Sequence, residues 1–136
     1  MLGVKTYEES YIDRCRTALA AQLAAYNKMI RGARQGPSVQ EFERRFLANL
    51  VIVLDAYFVH RLRGVEGKDG NPLNEVRMLA DSILRNEGVL TASTTIKYRV
   101  ATSVLGYEIG QTIAPDRKGF ARLADRYFDE MQRRFT

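Results

Sequence analysis

Three segments of this chain repeat apolar side chains with the period of an α-helix, and this periodicity limits the fold more than any other feature. The repeats run from Tyr11 to Ile30, from Phe42 to Phe58 and from Phe120 to Phe135. Each stripe allows a helix to bury one face against a neighbour. The 136 residues are the length of one domain. The pattern therefore predicts a mainly α, single-domain bundle of about four helices over residues 1–136.

Two capping boxes predict where the first two helices begin. One is formed by Thr6 to Glu9 and the other by Ser38 to Glu41. The glycine- and proline-containing stretch 32–37 separates the two helices. In the second helix the apolar stripe of residues 42–58 nearly encircles the axis, which predicts that this helix is the central and most buried one.

A third helix is predicted from its end signals. Asn71 followed by Pro72 is typical of an N-cap and first helical position, and Gly88 is typical of a helix stop. We therefore expect a helix over residues 72–87. The following residues, 89–115, mix helical and alternating patterns. They predict irregular chain with one or two short strands or a short helix.

Composition excludes several classes of protein. The longest apolar runs fall well short of the roughly 20 residues that cross a bilayer, so no membrane segment is predicted. The first residues lack a basic region followed by a long apolar core, which predicts a cytoplasmic protein. The single cysteine, Cys15, lies in a helical stripe and is predicted to be a small buried hydrophobe.

The formal net charge of +5 makes attraction to polyanions physically possible. The basic residues, however, occur as scattered pairs interleaved with acids, which is typical of solvated helix faces. No helix-turn-helix, zinc-finger or RNA-binding signature accompanies the charge. Nucleic-acid binding is therefore an alternative hypothesis and not the leading one.

Polar and turn-forming residues are densest between His60 and Arg77, where a ligand site is most plausible on chemical grounds. The segment leads into the start of the third helix, whose free N–H groups favour an anion. The sequence favours, over a bound ligand, an internally satisfied connector in which Glu66 or Asp69 takes the anion's place, because Asp-Gly-Asn-Pro is ordinary turn and capping chemistry. The candidate ligand-binding residues are His60, Arg61, Arg63, Glu66, Lys68, Asp69, Asn71, Asn74 and Arg77.

Metal and nucleotide motifs are incomplete in this segment. One histidine is few for a zinc or iron site. A calcium loop fails because Gly67 stands where the first carboxylate is needed and Pro72 replaces the turn glycine. The Walker pattern of glycines followed by Lys and Ser or Thr is absent. No metal, no cofactor and no catalytic residue is therefore predicted.

Asp55 interrupts the most apolar run of the chain. A carboxylate buried there must be paired, hydrogen-bonded or neutral. Either it points to a wet edge of the helix, or it pairs with a base such as Arg77 or Lys97. A structural ion pair is favoured over a catalytic acid.

The string HRLRGVEGKDGNPLNEVR over residues 60–77, with Thr95-Ile-Lys97 and Ser103-Val-Leu105 after it, resembles a family of small uncharacterised bacterial proteins. The resemblance covers roughly the second half of the chain. It implies a bacterial and complete protein, and it implies no activity, ligand or catalytic residue.

Three functions follow as hypotheses. The first is a small helical binding or interaction protein that takes an anionic ligand at residues 60–77 and forms a homodimer through surplus aromatic side chains. The second is an enzyme acting on an anionic small molecule, with His60 or Glu66 as acid or base. The third is a nucleic-acid-associated protein.

Overall fold

A computed structural model describes residues 3–136, which form α-helices joined by turns and irregular chain. The mainly α, single-domain prediction is confirmed. One helix more than expected is present because α3, a single turn, forms inside the segment that was predicted to be a loop. The helices are α1 (Glu9–Gly32), α2 (Pro37–Ala56), α3 (Arg63–Glu66), α4 (Pro72–Arg85) and α5 (Arg117–Phe135), and a 3-10 turn covers Val100–Thr102.

The core lies where α4 and α5 meet each other and α2. The prediction that the second helix is the most buried one is wrong, because eight of the fourteen residues of α4 are buried, against four of twenty in α2. The apolar stripe of α2 continues beyond the core towards its N-terminus, where Phe42 remains 48% exposed. Fully buried side chains from several elements fill the centre, among them Phe58, Leu79, Phe120, Leu123, Tyr127 and Phe128.

Both predicted capping boxes are wrong. The N-cap of α1 is Glu8, without a side-chain cap, because the Tyr7 N–H donates to the Phe135 carbonyl at 2.7 Å and holds the preceding chain extended. The α2 helix begins at Pro37, whose fixed φ suits a first helical position, one residue before Ser38. Both outcomes depend on interactions that lie outside the four-residue motif.

The predicted ends of the third helix are largely confirmed in α4. The Asn71 side chain caps its start, and Pro72 is its first residue. The helix ends at Arg85, two residues earlier than expected. Its stop uses Gly88, which has a φ of +77° and donates its N–H to the Ser82 carbonyl.

The long connector between α4 and α5, residues 86–116, is irregular as predicted, with the 3-10 turn as its short helix and no strand among residues 3–136. We call it the second connector. Glu75 of α4 holds it, because its buried carboxylate accepts the N–H of Val104 at 2.7 Å and that of Leu105 at 3.0 Å. Burial raises the pKa of Glu75, although these two hydrogen bonds act in the opposite direction.

Two further predictions concern burial and membranes. Cys15 is 5% exposed, which confirms its place in the core, and burial raises the pKa of its thiol. The thiolate, which is the reactive form of a cysteine, is therefore disfavoured at residue 15.

Within residues 3–136 we find no helix whose length and apolarity would let it traverse a bilayer.

Candidate functional site

The segment between α2 and α4, residues 57–71, uses its polar groups largely on itself, and we call it the first connector. Asn71 shows this most clearly. Its Oδ1 accepts the N–H groups of Leu73 at 3.0 Å and Asn74 at 3.2 Å, and its Nδ2 donates to the Glu66 carbonyl at 2.8 Å. The position predicted for an anion at the start of α4 is therefore filled by an amide of the chain, not by the carboxylate of Glu66 or Asp69.

Two side chains from other elements complete the first connector. Asn74 of α4 donates to the carbonyls of Gly67 at 3.0 Å and Asp69 at 2.7 Å, while Arg134 of α5 donates to the Glu66 carbonyl at 2.9 Å. Gly67 has a φ of +83°, and a Cβ there would lie 3.0 Å from the Arg134 Nη1. Only glycine therefore fits this turn without strain.

Five charged residues meet beside the first connector, and we call them the arginine cluster: Asp55, Arg61, Arg63, Glu66 and Arg77. At its centre the Glu66 side chain is 0% exposed. Arg77 holds it with two hydrogen bonds, from Nε to Oε1 at 3.1 Å and from Nη2 to Oε2 at 2.7 Å. Arg61 and Arg63 approach the same carboxylate at 3.4 and 3.6 Å. Glu66 is thus a buried anchor for three arginines.

Arg61 is the buried arginine of the cluster. Its Nη2 contacts Asp55 Oδ1 at 2.8 Å, so Asp55 is paired as expected, but with Arg61 instead of Arg77 or Lys97. The guanidinium also donates to the Phe58 and Leu73 carbonyls. Desolvation disfavours its charge, yet the pKa of Arg61 lies above the ordinary value because neighbours that include Asp55 stabilise the cation. Arg61 therefore has a structural role, and its buried guanidinium is not accessible to a ligand.

Tyr127 of α5 covers the other side of the Arg61 guanidinium, whose carbon lies 5.7 Å from the ring centroid. The ring is fully buried, and among the described residues its hydroxyl has no hydrogen-bond partner. Burial raises the pKa of Tyr127, so its phenol stays neutral. Tyr127 therefore contributes a cation–π contact to the cluster and no charge.

The cluster contains three guanidinium groups and two carboxylates, which leaves one positive charge without a partner of its own. The arginine side chains differ in exposure: Arg61 is 0% exposed, Arg77 24% and Arg63 46%. The uncompensated charge is therefore presented to solvent by Arg63 and Arg77.

Arg63 and Arg77 line a groove of about 610 Å³ that α4 forms with the end of α2 and the start of the second connector. We call it the α4 groove. One end carries these two arginines, and the far end carries the apolar Leu84. The lining residues are Asp55, Val59, Arg63, Arg77, Met78, Ala80, Asp81, Leu84, Arg85, Thr91, Ala92, Ser93, Thr94 and Ile96.

Residues 91–95 of the second connector form a wall beside the groove, in which Thr91, Ser93 and Thr94 line the groove with hydroxyl groups and Thr95 contacts Arg63. Ser93 Oγ accepts the N–H groups of Thr95 and Ile96, and Thr95 Oγ1 accepts from Arg63 Nη2 at 3.3 Å. Within residues 3–136, the backbone N–H groups of residues 92–94 donate to no protein acceptor. This wall thus has free donors next to the exposed arginines.

A smaller recess of about 350 Å³ continues on the other side of Arg63. Gly64, Gly67, Lys68 and Thr95 line it with that arginine. Lys68 is exposed, and no acid within residues 3–136 forms a salt bridge with it. The recess extends the cationic end of the α4 groove.

His60 and Glu66, the two candidates for acid or base, do not share a solvent-accessible space. The His60 side chain is exposed at the turn after α2 and does not line the α4 groove, whereas Glu66 is enclosed by its arginines. In the described part of the chain, no three His, Cys, Asp or Glu residues are grouped so that they could hold a metal ion. The geometry offers neither a paired acid and base nor a metal site at residues 60–77.

The nine residues predicted to bind a ligand separate into three groups. Arg61, Arg63, Glu66 and Arg77 join the arginine cluster. Asp69, Asn71 and Asn74 hold the first connector, and His60 and Lys68 are exposed. Sequence reasoning missed Tyr127, Arg134 and the 91–95 wall. The Ser-Thr-Thr run at residues 93–95 was the one feature among these that a reading of the local sequence could have identified as a polar site. Arg134 could not be identified in this way, because it lies 68 residues from its partner Glu66.

Comparison with protein-family models, with curated proteins and with solved structures finds no match for this chain. The resemblance to a family of small bacterial proteins stays a prediction. The chemistry of the α4 groove is therefore the basis for a proposed function.

Proposed function

We propose that this chain binds a small anionic molecule in the α4 groove, with the anionic group between Arg63 and Arg77. The observation that carries the proposal is the single uncompensated positive charge of the arginine cluster, which is presented to solvent by these two side chains. A groove of about 610 Å³ is in the range of small-molecule sites. The proposal keeps the predicted anionic ligand and moves its place from the helix start to the side of α4.

The donors at this end are already oriented. Glu66 holds Nε and Nη2 of Arg77, and within residues 3–136 Nη1 of Arg77 makes no hydrogen bond. Arg63 is steadied by Thr95 and by Glu66. Guanidinium groups bind carboxylate or phosphate oxygens through such fixed donors. Because the side chains are positioned before the ligand arrives, binding costs less conformational entropy.

The enzyme and nucleic-acid hypotheses have less support. An acid–base role for Glu66 would require the carboxylate to leave three arginines, and His60 lies outside the groove. Several of the scattered arginines that suggested nucleic-acid binding form salt bridges with neighbouring acids and are not available as a single basic surface. Such pairs join Arg16 to Asp125 and Asp129, Arg45 to Glu41, Arg117 to Glu43, and Arg133 to Glu130.

The homodimer, the bacterial origin and the cytoplasmic location stay predictions. Met29 and Phe42, which are 54% and 48% exposed beside Phe46, are the observation that favours a homodimer. Sedimentation velocity over a hundredfold range of protein concentration tests it. A sedimentation coefficient that stays at the monomer value throughout would rule the dimer out.

The binding proposal is tested by titrating the ¹⁵N-labelled protein with sodium acetate and with inorganic phosphate at constant ionic strength. We expect saturable NMR shifts at the Nε–H groups of Arg63 and Arg77 and at the backbone of residues 92–95. Arg63→Gln removes an exposed guanidinium without breaking the Arg77–Glu66 pair, and it should weaken binding several-fold. Arg45→Gln is the matched control, because Arg45 pairs with Glu41 on the exposed face of α2.

Three outcomes would overturn the proposal. Shifts that do not saturate, or that appear equally at Arg45, would indicate general salt effects. Equal affinities for the wild type and for Arg63→Gln would place the anion elsewhere. An absence of any shift at Arg77 with both anions would show that the cluster is a closed structural unit.

A further inference from the structure

We infer that the ligand of the α4 groove is a monocarboxylate carried on an apolar chain about 10 Å long. This inference rests on the proposed function and adds the chemical class of the ligand. Two independent properties of the groove support it. One is the sign and number of the charges near Arg63 and Arg77, and the other is the apolar surface at the opposite end.

The charges match one negative charge and not two. The arginine cluster has one positive charge in excess, and the Asp81–Arg85 pair further along α4 is neutral, with Nε and Oδ1 2.7 Å apart. Lys68 lines the recess on the other side of Arg63 and does not line the α4 groove. Asp55 also lines the groove and is 21% exposed. A phosphate dianion would bring two negative charges to a single excess positive charge and would meet the Asp55 carboxylate. A carboxylate neutralises the excess without leaving a surplus.

The apolar end lies about two helical turns from the cationic end, on the same face of α4. Leu84, which is 62% exposed, lines this end beside the neutral Asp81–Arg85 pair. Val59, which is 53% exposed, and the buried Met78 and Ile96 add apolar surface to the groove lining. Arg77 and Leu84 are seven residues apart on α4, which separates them by about 10 Å at 1.5 Å per residue. An unbranched chain of about eight carbon atoms spans this distance. Large exposed aliphatic side chains in a groove gain most from covering by such a chain.

The experiment compares four probes at pH 8 by isothermal titration calorimetry, supported by the NMR shifts of Arg77. Octanoate has both features, acetate has only the carboxylate, 1-octanol has only the chain, and octyl phosphate carries two negative charges. We expect octanoate to bind at least about tenfold more tightly than each of the other three. Acetate lacks the methylene groups that would be buried, 1-octanol lacks the ion pair, and octyl phosphate brings one negative charge too many.

Two surface variants separate the chain from the head group. Leu84→Ser should weaken octanoate binding about threefold to tenfold and leave acetate binding unchanged. Ile109→Ser is the matched control, because Ile109 is 50% exposed in the second connector and lies outside the groove. Both positions are on the surface, so the fold is retained in both variants.

The outcomes distinguish this inference from the proposed function. Octyl phosphate binding as tightly as octanoate would overturn the single-charge argument and leave the anion site in place. Octanoate binding no better than acetate, or unaffected by Leu84→Ser, would overturn the apolar part and again leave the anion site. If none of the anions shifts Arg77, both the proposed function and this inference fail.

Discussion

The two connectors of this protein are both held by internal hydrogen bonds and by side chains of α4, but they differ in how many polar groups they leave without a protein partner. In the first connector, backbone carbonyls and side chains are bound by residues of the connector, of α4 and of α5. The second connector also has internal hydrogen bonds, such as those between the backbones of Leu90 and Gln111 and from the Tyr98 hydroxyl to the Tyr107 carbonyl. The α4 helix holds it through Glu75 and through Ser82, whose Oγ accepts the Thr91 N–H at 3.1 Å. The backbone N–H groups of residues 92–94, beside the α4 groove, donate to no acceptor within residues 3–136.

A high density of polar residues therefore does not by itself indicate a binding site. In the first connector the polar side chains are largely satisfied internally, and a ligand would have to displace them. Near the contact between Arg63 of the first connector and Thr95 of the second, the backbone N–H groups of residues 92–94 remain free within residues 3–136. Variants of Glu66, Asn71 and Arg134 test how much the first connector contributes to stability, and a variant of Glu75 tests the same for the second connector.

The largest effect is expected at Glu66, on which the arginine cluster depends. Glu66→Gln removes the buried charge that binds Arg77 and approaches Arg61 and Arg63, and it should lower the free energy of unfolding by about 3–5 kcal/mol. Urea denaturation measures it. Asp81→Asn, which breaks an exposed pair with Arg85, is the control and should cost at most about 1 kcal/mol. Similar losses in the two variants would mean that the buried cluster contributes no more than a surface pair.

A smaller loss is expected at the cap of α4. Asn71→Ala removes the cap and both donors of Nδ2, and we expect a loss of about 1–2 kcal/mol in urea denaturation. Asn71→Ser keeps an acceptor for the helix start and should recover part of the loss. Equal stability of the alanine and serine variants would show that the Nδ2 donors matter and that the cap does not.

Two adjacent arginines give a finer test of the first connector. Arg133 and Arg134 both pair with Glu130, but only Arg134 reaches the Glu66 carbonyl. Arg134→Met should lower stability by about 1 kcal/mol, because a buried carbonyl loses a charged donor. Arg133→Met should leave the urea midpoint unchanged. A midpoint shift of the same size in both variants would assign the effect to Glu130 and not to the connector.

The smallest effect is a pH dependence in the second connector. Burial raises the pKa of Glu75 in the folded protein above its ordinary value. The folded state therefore binds the proton more tightly than the unfolded state, so this contribution to stability is fully present below the ordinary Glu pKa of about 4.3 and is lost as the pH rises through the raised value. Compared with Glu75→Gln, the wild type should lose stability across this window. The check is urea denaturation of both proteins from pH 4 to pH 7. A constant difference between the two proteins over that range would contradict the raised pKa.

The sequence predicted the helical fold and the start of α4 because both follow from short-range patterns. Apolar spacing and an Asn-Pro start act within one or two turns. The start of α1 could not be predicted, since it depends on a hydrogen bond between Tyr7 and Phe135 at opposite ends of the described chain. The burial of α4 depends on which helices surround it, and a single stripe does not encode this.

For the candidate site, the sequence identified the correct segment and not its organisation. The richness in charge between residues 60 and 77 indicated where the arginine cluster would form. The partner of Asp55 could not be chosen, because the chain turns back after α2 and brings Arg61 to it. The α4 groove could not be predicted either, since it requires residues 91–96 to pass beside α4, and their local pattern is ambiguous.

The last turn of α5 has a consequence for the order of folding. Arg134 closes the first connector and Phe135 binds the segment before α1, although both partners are synthesised long before α5. Contacts of such high sequence separation form late, because the entropy of closing a long loop opposes them. The early half of the chain therefore cannot reach its final geometry alone. We expect the protein to fold as one cooperative unit, with the first connector among the last parts to become rigid.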